Sequence, residues 1–324
     1  MFGIRSKLKR IIKERKNRNI VTKSVRNNEF TDVIWLIGDG RSGSTWIANL
    51  INADRTYREM FEPFHPVKVP AADKFKENMY LQPNDSNTEL FDFMETVFEG
   101  TLTNLWVDQD LSDQAFSGLI IKDVFANLHA RWAIENFSYV KPILLIRNPL
   151  SVASSKYVTR RWNWPEPSLD LFSDKKLIDN HLNGFQKTIN DVLQRDDYIE
   201  KQVLNWCIIH KVLSEQFTLN GIHIICYETA YLSPKSAIEE VLNFSNKPKL
   251  IDLTDNILNA SSKVSFKGSS IVEKKNPLTI WQDNLTKNQI ELACSLLEKF
   301  GFSKWYPDLE NPNLKAIKSS FISR

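Results

Sequence analysis

The residues best suited to chemistry lie in a short stretch near the start of the chain, Arg41 to Trp46. Arg41 carries a rigid, planar set of N–H donors that can bind an oxyanion at two points. Ser42, Ser44 and Thr45 place hydroxyl groups beside it. A guanidinium surrounded by hydroxyl donors is typical of a site for phosphate or sulfate groups, so we expect this stretch to bind an anion.

This stretch differs at one position from the loop that binds nucleoside triphosphates. Gly38 and Gly43 have the G-x-x-x-x-G spacing of that loop, but the next residue is Ser44, where a nucleoside-triphosphate enzyme needs Lys. The cation lies inside the loop instead, at Arg41. The pattern favours a phosphate-binding loop with chemistry other than ATP hydrolysis. A strand–turn–helix corner with incidental Ser and Gly residues is the structural alternative.

The elements on either side of the loop must hold it in place. Residues 33–37 are an apolar run of β-branched and aromatic side chains, which predicts a strand buried on both faces. A helix is predicted to begin near Ser44, with Trp46, Ile47 and Leu50 on its apolar side. A strand, a glycine-containing loop and a helix N-terminus together can hold an anion on backbone N–H groups.

Further apolar runs alternate with helical patterns along the chain. They predict strands at residues 119–123, 142–147 and 222–227, and residues 56–61 are predicted to form a further short strand. This alternation predicts the α/β class, as a P-loop-like doubly wound parallel sheet flanked by helices in a single domain. We expect the organisation to be a basic N-terminal segment at 1–28, a domain at 29–310 and a C-terminal tail at 311–324.

Charged side chains follow the predicted strands. In parallel sheets, residues that handle ligands collect at the carboxyl ends of strands. Glu62 follows the strand at 56–61, so we expect it at the same edge as Arg41, where a carboxylate can accept a proton. His65 is the competing base, because the ordinary pKa of histidine is near neutrality.

A second candidate anion site follows the strand at 142–147. Arg147 ends this strand, and Ser155 lies eight residues later in a predicted helix. Both side chains can converge on one phosphate, to which the helix N-terminus adds its positive end. An Arg-Asn-Pro turn is also a common strand exit, but together with the Arg41 loop it predicts two anion sites on two strand–helix turns.

Both motifs resemble those of a known family. The segment Arg41-Ser42-Gly43-Ser44-Thr45-Trp46 resembles the 5′-phosphosulfate-binding loop of sulfotransferases that use 3′-phosphoadenosine 5′-phosphosulfate (PAPS), and is closest in form to the carbohydrate and tyrosylprotein branches. Arg147 with Ser155 resembles their 3′-phosphate-binding motif. The resemblance implies sulfuryl transfer from PAPS to a small-molecule or glycan hydroxyl, such as that of a carbohydrate or glycolipid. It implies PAP (3′-phosphoadenosine 5′-phosphate) as product and no metal requirement.

The resemblance also implies roles for further residues. Glu62 matches a glutamate of the carbohydrate and tyrosylprotein branches, and Lys122 matches a lysine that reaches the bridging oxygen of PAPS. Tyr227 belongs to a Tyr-Glu element in which the ring lies against adenine in some members, with a core tyrosine as the alternative. Lys267 and Gly268 resemble a late basic-glycine element over the 3′-phosphate, although the usual preceding Arg is absent.

Charge is unevenly distributed along the chain. Residues 1–26 contain ten Lys/Arg and one Glu, a net charge of +9, so a total of +3 leaves −6 for the remainder. We therefore expect no nucleic-acid binding by the body. The basic segment also contains Phe2, Ile4, Leu8, Ile11 and Ile12. Their spacing permits an amphipathic helix resting peripherally on an anionic membrane surface, with a solvated or frayed helix as the alternative.

Localisation follows from what the sequence lacks. No run approaches the roughly 18 apolar residues of a membrane helix, and the N-terminus has no apolar secretory segment. Cys207, Cys226 and Cys294 are widely spaced, which predicts free thiols in a reducing compartment and a cytoplasmic protein.

Two other function classes fit parts of the sequence. One is a P-loop kinase or other nucleotide-binding protein with an atypical loop. It is disfavoured by Ser44 and by the lack of a clear acidic partner for Mg²⁺. The other is a non-catalytic binding module that retained the fold. It is disfavoured because Arg41, Glu62, Arg147 and Ser155 are all present.

Overall fold

A computed structural model of the 324-residue chain describes residues 2–27, 30, 32–158, 169–247 and 275–321. Within these ranges it contains one five-stranded sheet: β1 (Val33–Gly38), β2 (Tyr57–Phe61), β3 (Gly118–Lys122), β4 (Val140–Ile146) and β5 (His223–Cys226). All four strand pairs are parallel, and the spatial order is β2-β3-β1-β4-β5. The predicted α/β class and parallel sheet are confirmed.

The central strand β1 is buried on both faces, as its apolar composition predicts. Val33, Trp35 and Ile37 belong to one core layer, whereas Ile34 and Leu36 belong to the other. This alternation follows from the two-residue period of a strand. Helices cover both faces, which is the usual arrangement of an all-parallel sheet.

Helices follow or connect the strands, and several carry the predicted site residues. Those described are Phe2–Asn27, Ser44–Ile51, Thr88–Phe98, Ala130–Asn136, Pro149–Val158, Leu169–Ser173, Lys175–Leu177, Gln186–Arg195, Tyr198–Gln216, Tyr227–Leu232, Pro234–Ser245, Trp281–Asn284, Lys287–Lys299 and Leu314–Ser319. Short 3-10 turns occupy Pro70–Ala72, Asn127–His129 and Ser303–Trp305, and a π-helical turn occupies Ile178–Leu182.

The N-terminal helix Phe2–Asn27 packs on the body through one face of its second half. Asn17, Ile20, Val21 and Ser24 are buried, which is the i, i+3, i+4, i+7 spacing of one helix face. Residues 6–13 are exposed. None of the helices in the described ranges has the length and apolar character needed to cross a bilayer.

The end of the chain adds to the core. Ile317 lies in the helix Leu314–Ser319, and both Ile317 and Phe321 are buried in the larger core layer. The predicted domain limits of 29–310 stay a prediction. They place these two core residues in the predicted tail.

Candidate active site

The loop 39–43, here called the anion loop, connects β1 to the helix Ser44–Ile51 at the carboxyl edge of the sheet. Gly43 caps this helix with φ 92° and ψ 16°, in the left-handed region that glycine tolerates best. A Cβ at this position would lie 2.5 Å from the Tyr227 ring. Both the backbone conformation and the close approach of Tyr227 therefore require glycine here.

Arg41 lies at the centre of the anion loop. Its φ of 70° is also left-handed, a strained conformation for a residue with a side chain. Its Nε donates a hydrogen bond of 3.2 Å to Ser155 Oγ on the helix Pro149–Val158. Burial, and then the like charge of Arg147, lower the pKa of Arg41 to about 10, so it stays protonated at neutral pH. The structure thus brings together residues that are 114 positions apart.

Arg147 approaches the same loop from the end of β4. Its Nη1 donates to Arg41 O at 3.0 Å and its Nη2 donates to Pro277 O at 2.8 Å. Its guanidinium lies 4.2 Å from the centroid of the Tyr227 ring, which is a cation–π contact. Trp206 Nε1 donates to Arg147 O at 3.0 Å. Arg41, Ser155, Arg147 and Tyr227 therefore form one contact network at the sheet edge.

Glu228, a buried carboxylate that was not among the predicted site residues, holds the backbone next to Arg147. Glu228 Oε1 accepts a hydrogen bond of 2.8 Å from the backbone N of Asn148, and Oε2 accepts one of 3.2 Å from Tyr306 OH. Burial raises the pKa of Glu228. Its position next to Tyr227 in the Tyr-Glu element was the one sequence signal that could have identified it.

Glu62 and Lys122 form a buried ion pair beside this network. Glu62 follows β2, and its backbone N donates to Lys122 O at 2.7 Å while Lys122 Nζ bonds Glu62 Oε1. Lys122 Nζ lies 4.4 Å from the centroid of the Phe61 ring. Glu62 has a left-handed φ of 46°, so both Arg41 and the predicted base are held in a strained backbone conformation.

Asp123, next to Lys122, is fully buried. Its carboxylate accepts backbone hydrogen bonds from Phe64, Phe125 and Ala126 at 3.0, 2.6 and 3.1 Å. Burial raises the pKa of Asp123 to about 7, although these N–H donors favour the carboxylate. Asp123 therefore fixes the two loops that carry Phe64 and Phe125.

His65, the competing base, lies in an aromatic environment. Its ring centroid is 4.8 Å from that of Phe125 and 5.2 Å from that of Trp106. His65 Nδ1 accepts a hydrogen bond of 3.2 Å from the backbone N of Val67. Burial is the largest effect on this imidazole and lowers its pKa, which favours the neutral ring.

A second buried ion pair, which sequence alone did not predict, fixes the anion loop. Lys156 Nζ donates to Asp39 Oδ1 and Oδ2 at 2.7 and 2.9 Å, and to Gln202 Oε1 at 3.0 Å. Asp39 opens the anion loop, whereas Lys156 follows Ser155 on the helix Pro149–Val158. Asp39 and Lys156 are 117 positions apart, so no local pattern could have paired them.

Some polar groups at this edge remain available. Ser42 Oγ, Arg147 Nε and Ser151 Oγ are buried and have no hydrogen-bond partner among the described residues. Ser44 and Thr45 begin the helix after the loop. Lys267 and Gly268, the predicted cover of the 3′-phosphate, lie outside the described residues. Within the described ranges, no group of three or more His, Cys, Asp or Glu side chains is arranged to hold a metal ion.

Comparison with protein families identifies the class of protein to which this fold and this site belong. Residues 31–318 match the sulfotransferase domain family, so the chain belongs to that family. The resemblance predicted from the Arg41 loop and the Arg147 motif is confirmed, and the enzyme is a sulfotransferase that transfers sulfuryl groups. The match does not specify the carbohydrate or tyrosylprotein branch.

Solved structures resemble the chain at low sequence identity. Mouse sulfotransferase SULT7A1 complexed with PAP is 12% identical, with a TM-score of 0.43 over 92% of this chain and 93% of that one. Retinol dehydratase in complex with androsterone and inactive cofactor PAP is 12% identical, with a TM-score of 0.42 over 92% and 88%. The sulfotransferase domain from the curacin biosynthetic pathway is 14% identical, with a TM-score of 0.42 over 84% and 99%. No curated protein matches the chain.

Proposed function

We propose that this sulfotransferase uses PAPS to sulfate a hydroxyl acceptor and that Glu62 accepts the acceptor's proton. One observation carries the proposal: the partly buried Arg41 and the buried Arg147 meet at the anion loop, and a carboxylate paired with Lys122 lies at the same sheet edge. PAPS supplies the activated sulfuryl group, whose bond to the 5′-phosphate oxygen breaks as the acceptor oxygen bonds to sulfur, leaving PAP.

The donors at the edge suit a ligand with two anionic ends. We assign the anion loop to the 5′-phosphosulfate, where Arg41 and the buried Ser42 hydroxyl supply charge and a donor. We assign Arg147 and Ser155 to the 3′-phosphate, because Arg147 Nε is buried without a partner among the described residues. Charge-assisted hydrogen bonds of this kind are the strong ones. We assign Tyr227 to holding Arg147 through the ring face that it presents to the guanidinium.

The order of the strands supports this division between donor binding and proton transfer. Strand β3 lies between β1 and β2, so Lys122 lies between the anion loop and Glu62. Neighbouring strands are about 4.8 Å apart, which puts the ends of β1 and β2 about 10 Å from each other. That gap leaves room for the transferred group and the acceptor oxygen, with Lys122 placed to compensate charge between them.

Glu62 is oriented for proton transfer by its own contacts. Lys122 occupies Oε1, and Oε2 has no hydrogen-bond partner among the described residues. Oε2 is therefore the atom that we assign to the acceptor proton. Arg41 and Arg147 lie on the phosphate side, where negative charge accumulates as the acceptor attacks.

For the acceptor we propose a carbohydrate or glycolipid hydroxyl. This choice rests on the form of the Arg41 loop, which resembles most closely that of the carbohydrate and tyrosylprotein branches. An uncharged small-molecule alcohol is the other acceptor class that fits a Glu base. Turnover with a set of sugar alcohols and steroid alcohols distinguishes them, and faster sulfation of the steroids would overturn the carbohydrate assignment.

Ligand binding tests the donor assignment against the kinase alternative. Titration calorimetry with PAP, PAPS and ATP, with and without Mg²⁺, is expected to show binding of PAP and PAPS that is independent of Mg²⁺. ATP lacks a 3′-phosphate, so it should bind more weakly. Preference for ATP, or a requirement for Mg²⁺, would overturn the proposal in favour of a P-loop kinase.

A further inference from the structure

Three exposed apolar side chains lie on one face of the first half of the N-terminal helix. Leu8, Ile11 and Ile12 are 56%, 38% and 58% exposed, and their i, i+3, i+4 spacing puts them on one side of the helix. We call these three residues the apolar stripe. Exposed large hydrophobic residues scattered singly are normal, but three on one helix face indicate a binding surface.

The apolar stripe points away from the protein body. An α-helix turns by about 100° per residue, so Leu8 and the buried Asn17 are separated by about 180° around the axis. Ile20 and Val21 lie on the same side as Asn17 and are buried, and Ile20 belongs to the larger core layer. Folding therefore buries one face of the helix and leaves the opposite face, on an earlier turn, directed outward.

Basic side chains surround the apolar stripe. Seven exposed residues between positions 6 and 18 are cationic: Lys7, Lys9, Arg10, Lys13, Arg15, Lys16 and Arg18. Glu14 is the single acidic residue in this interval, and Arg10 Nε bonds it at 2.9 Å. Lys16 lies 3.8 Å from Asp113 of the body. The helix thus combines an outward apolar face with a strong positive charge.

We propose that the N-terminal helix docks this sulfotransferase on an anionic membrane surface, with the apolar stripe inserted among the lipids. A basic amphipathic helix binds such a surface by burying its apolar side chains at the headgroup boundary while its cations meet anionic lipids. A second copy of the chain is a poorer occupant, since it would bring another helix of net charge +9. A nucleic-acid backbone would match the charge but offers no apolar surface to Leu8, Ile11 and Ile12.

Vesicle co-sedimentation of the full chain tests the proposal. Vesicles of phosphatidylcholine with about 30% phosphatidylglycerol should retain the protein, and vesicles of phosphatidylcholine alone should not, because basic segments bind anionic lipid surfaces. The triple variant Leu8→Ser/Ile11→Ser/Ile12→Ser keeps every charge, and its partition coefficient should fall about 100-fold, since three apolar side chains no longer insert. Lys7→Gln/Lys9→Gln/Lys13→Gln keeps the stripe and should lose a similar factor.

Two controls keep the test specific. Leu219→Ser removes an apolar side chain that is 41% exposed elsewhere on the body, and it should bind vesicles normally. All variants should bind PAP as the unmodified protein does, so failure of vesicle binding is independent of the proposed reaction. Vesicle binding that survives loss of the apolar stripe would overturn the proposal. So would binding of duplex DNA in place of vesicles, or self-association in sedimentation velocity that is lost with the stripe.

Discussion

Two buried lysine–carboxylate pairs lie at the same sheet edge, and they differ in how completely the lysine is used. Lys156 bonds both oxygens of Asp39 and also Gln202, which satisfies all three donors of its ammonium group. Lys122 bonds Glu62 alone among the described residues. A saturated pair holds structure, whereas a pair with spare donors and a spare carboxylate oxygen can receive a ligand.

The two pairs also differ in how far their carboxylates are exposed to solvent. The Asp39 side chain is 5% exposed and that of Glu62 is 11% exposed. Asp39 and Lys156 join the anion loop to the helix that carries Ser155, so their contact links the two predicted anion sites. We therefore propose that Lys156 with Asp39 positions the loop and that Lys122 with Glu62 takes part in the reaction.

The largest expected effect is on turnover in Glu62→Gln. This change keeps the shape of the side chain but removes the base, and general-base catalysis typically contributes about 10²–10⁴-fold. Steady-state kinetics should show kcat falling by that factor, while calorimetry shows little change in PAP affinity. Near-normal turnover would overturn the assignment of Glu62. A collapsed melting transition would instead mean that Glu62 fixes the loop without taking the proton.

Replacing the two lysines should lower the free energy of unfolding by different amounts. Lys156→Met leaves Asp39 as an unpaired buried charge, and breaking a buried pair in this way costs about 3–5 kcal/mol of unfolding free energy. Lys122→Met is the matched control. It should destabilise less, because Glu62 is more exposed, yet it should lower turnover in a fold that stays intact. Urea denaturation measures both variants, and equal destabilisation would contradict the distinction between the pairs.

Much of this architecture could be predicted from sequence because its signals are local. Four of the five strands contain a short apolar run, whereas β2 also carries Arg58 and Glu59, and the anion loop is recognised by its glycines and by Arg41. Strand ends then predicted that Glu62, Lys122 and Arg147 share one edge, since the carboxyl ends of parallel strands lie together. Each of these inferences uses fewer than about ten consecutive residues and a general rule of sheet geometry.

The contacts that fix the site could not be predicted in this way. The pairing of Asp39 with Lys156 joins positions separated by 117 residues, and that of Glu228 with Asn148 spans 80. Such pairs depend on strand order and on how helices pack, which no single window of sequence contains. The left-handed φ of Glu62 is also set by its surroundings, because glutamate has no preference for that conformation.

The next largest expected effect is on the affinity for PAPS, the sulfuryl donor, and for its product PAP. Arg147→Ala removes a charge-assisted contact worth about 1.5–3 kcal/mol, so PAP and PAPS affinities should both fall about 10- to 150-fold. Both ligands carry the 3′-phosphate, which is why they should lose equally. Arg131→Ala, which removes an arginine from a surface pair with Glu135, is the control and should bind PAP normally. Unchanged PAP affinity in Arg147→Ala would rule out the 3′-phosphate assignment.

The smallest expected effect is that of His65→Asn, which tests whether the edge holds one base or two. The imidazole packs between Phe125 and Trp106, and Nδ1 already accepts a hydrogen bond from Val67. Turnover should stay within about threefold of normal, far from the 10²-fold loss typical of a missing general base.

The pH dependence gives a second test of His65. Burial lowers the pKa of His65, so a reaction that used it as base would lose activity as pH falls through that lowered pKa. The variant would then lack this loss of activity at low pH. We expect kcat/KM measured from about pH 5 to 8, the range in which histidine titrates, to keep the same shape in the variant. An inactive His65→Asn enzyme beside an active Glu62→Gln enzyme would reverse the two roles.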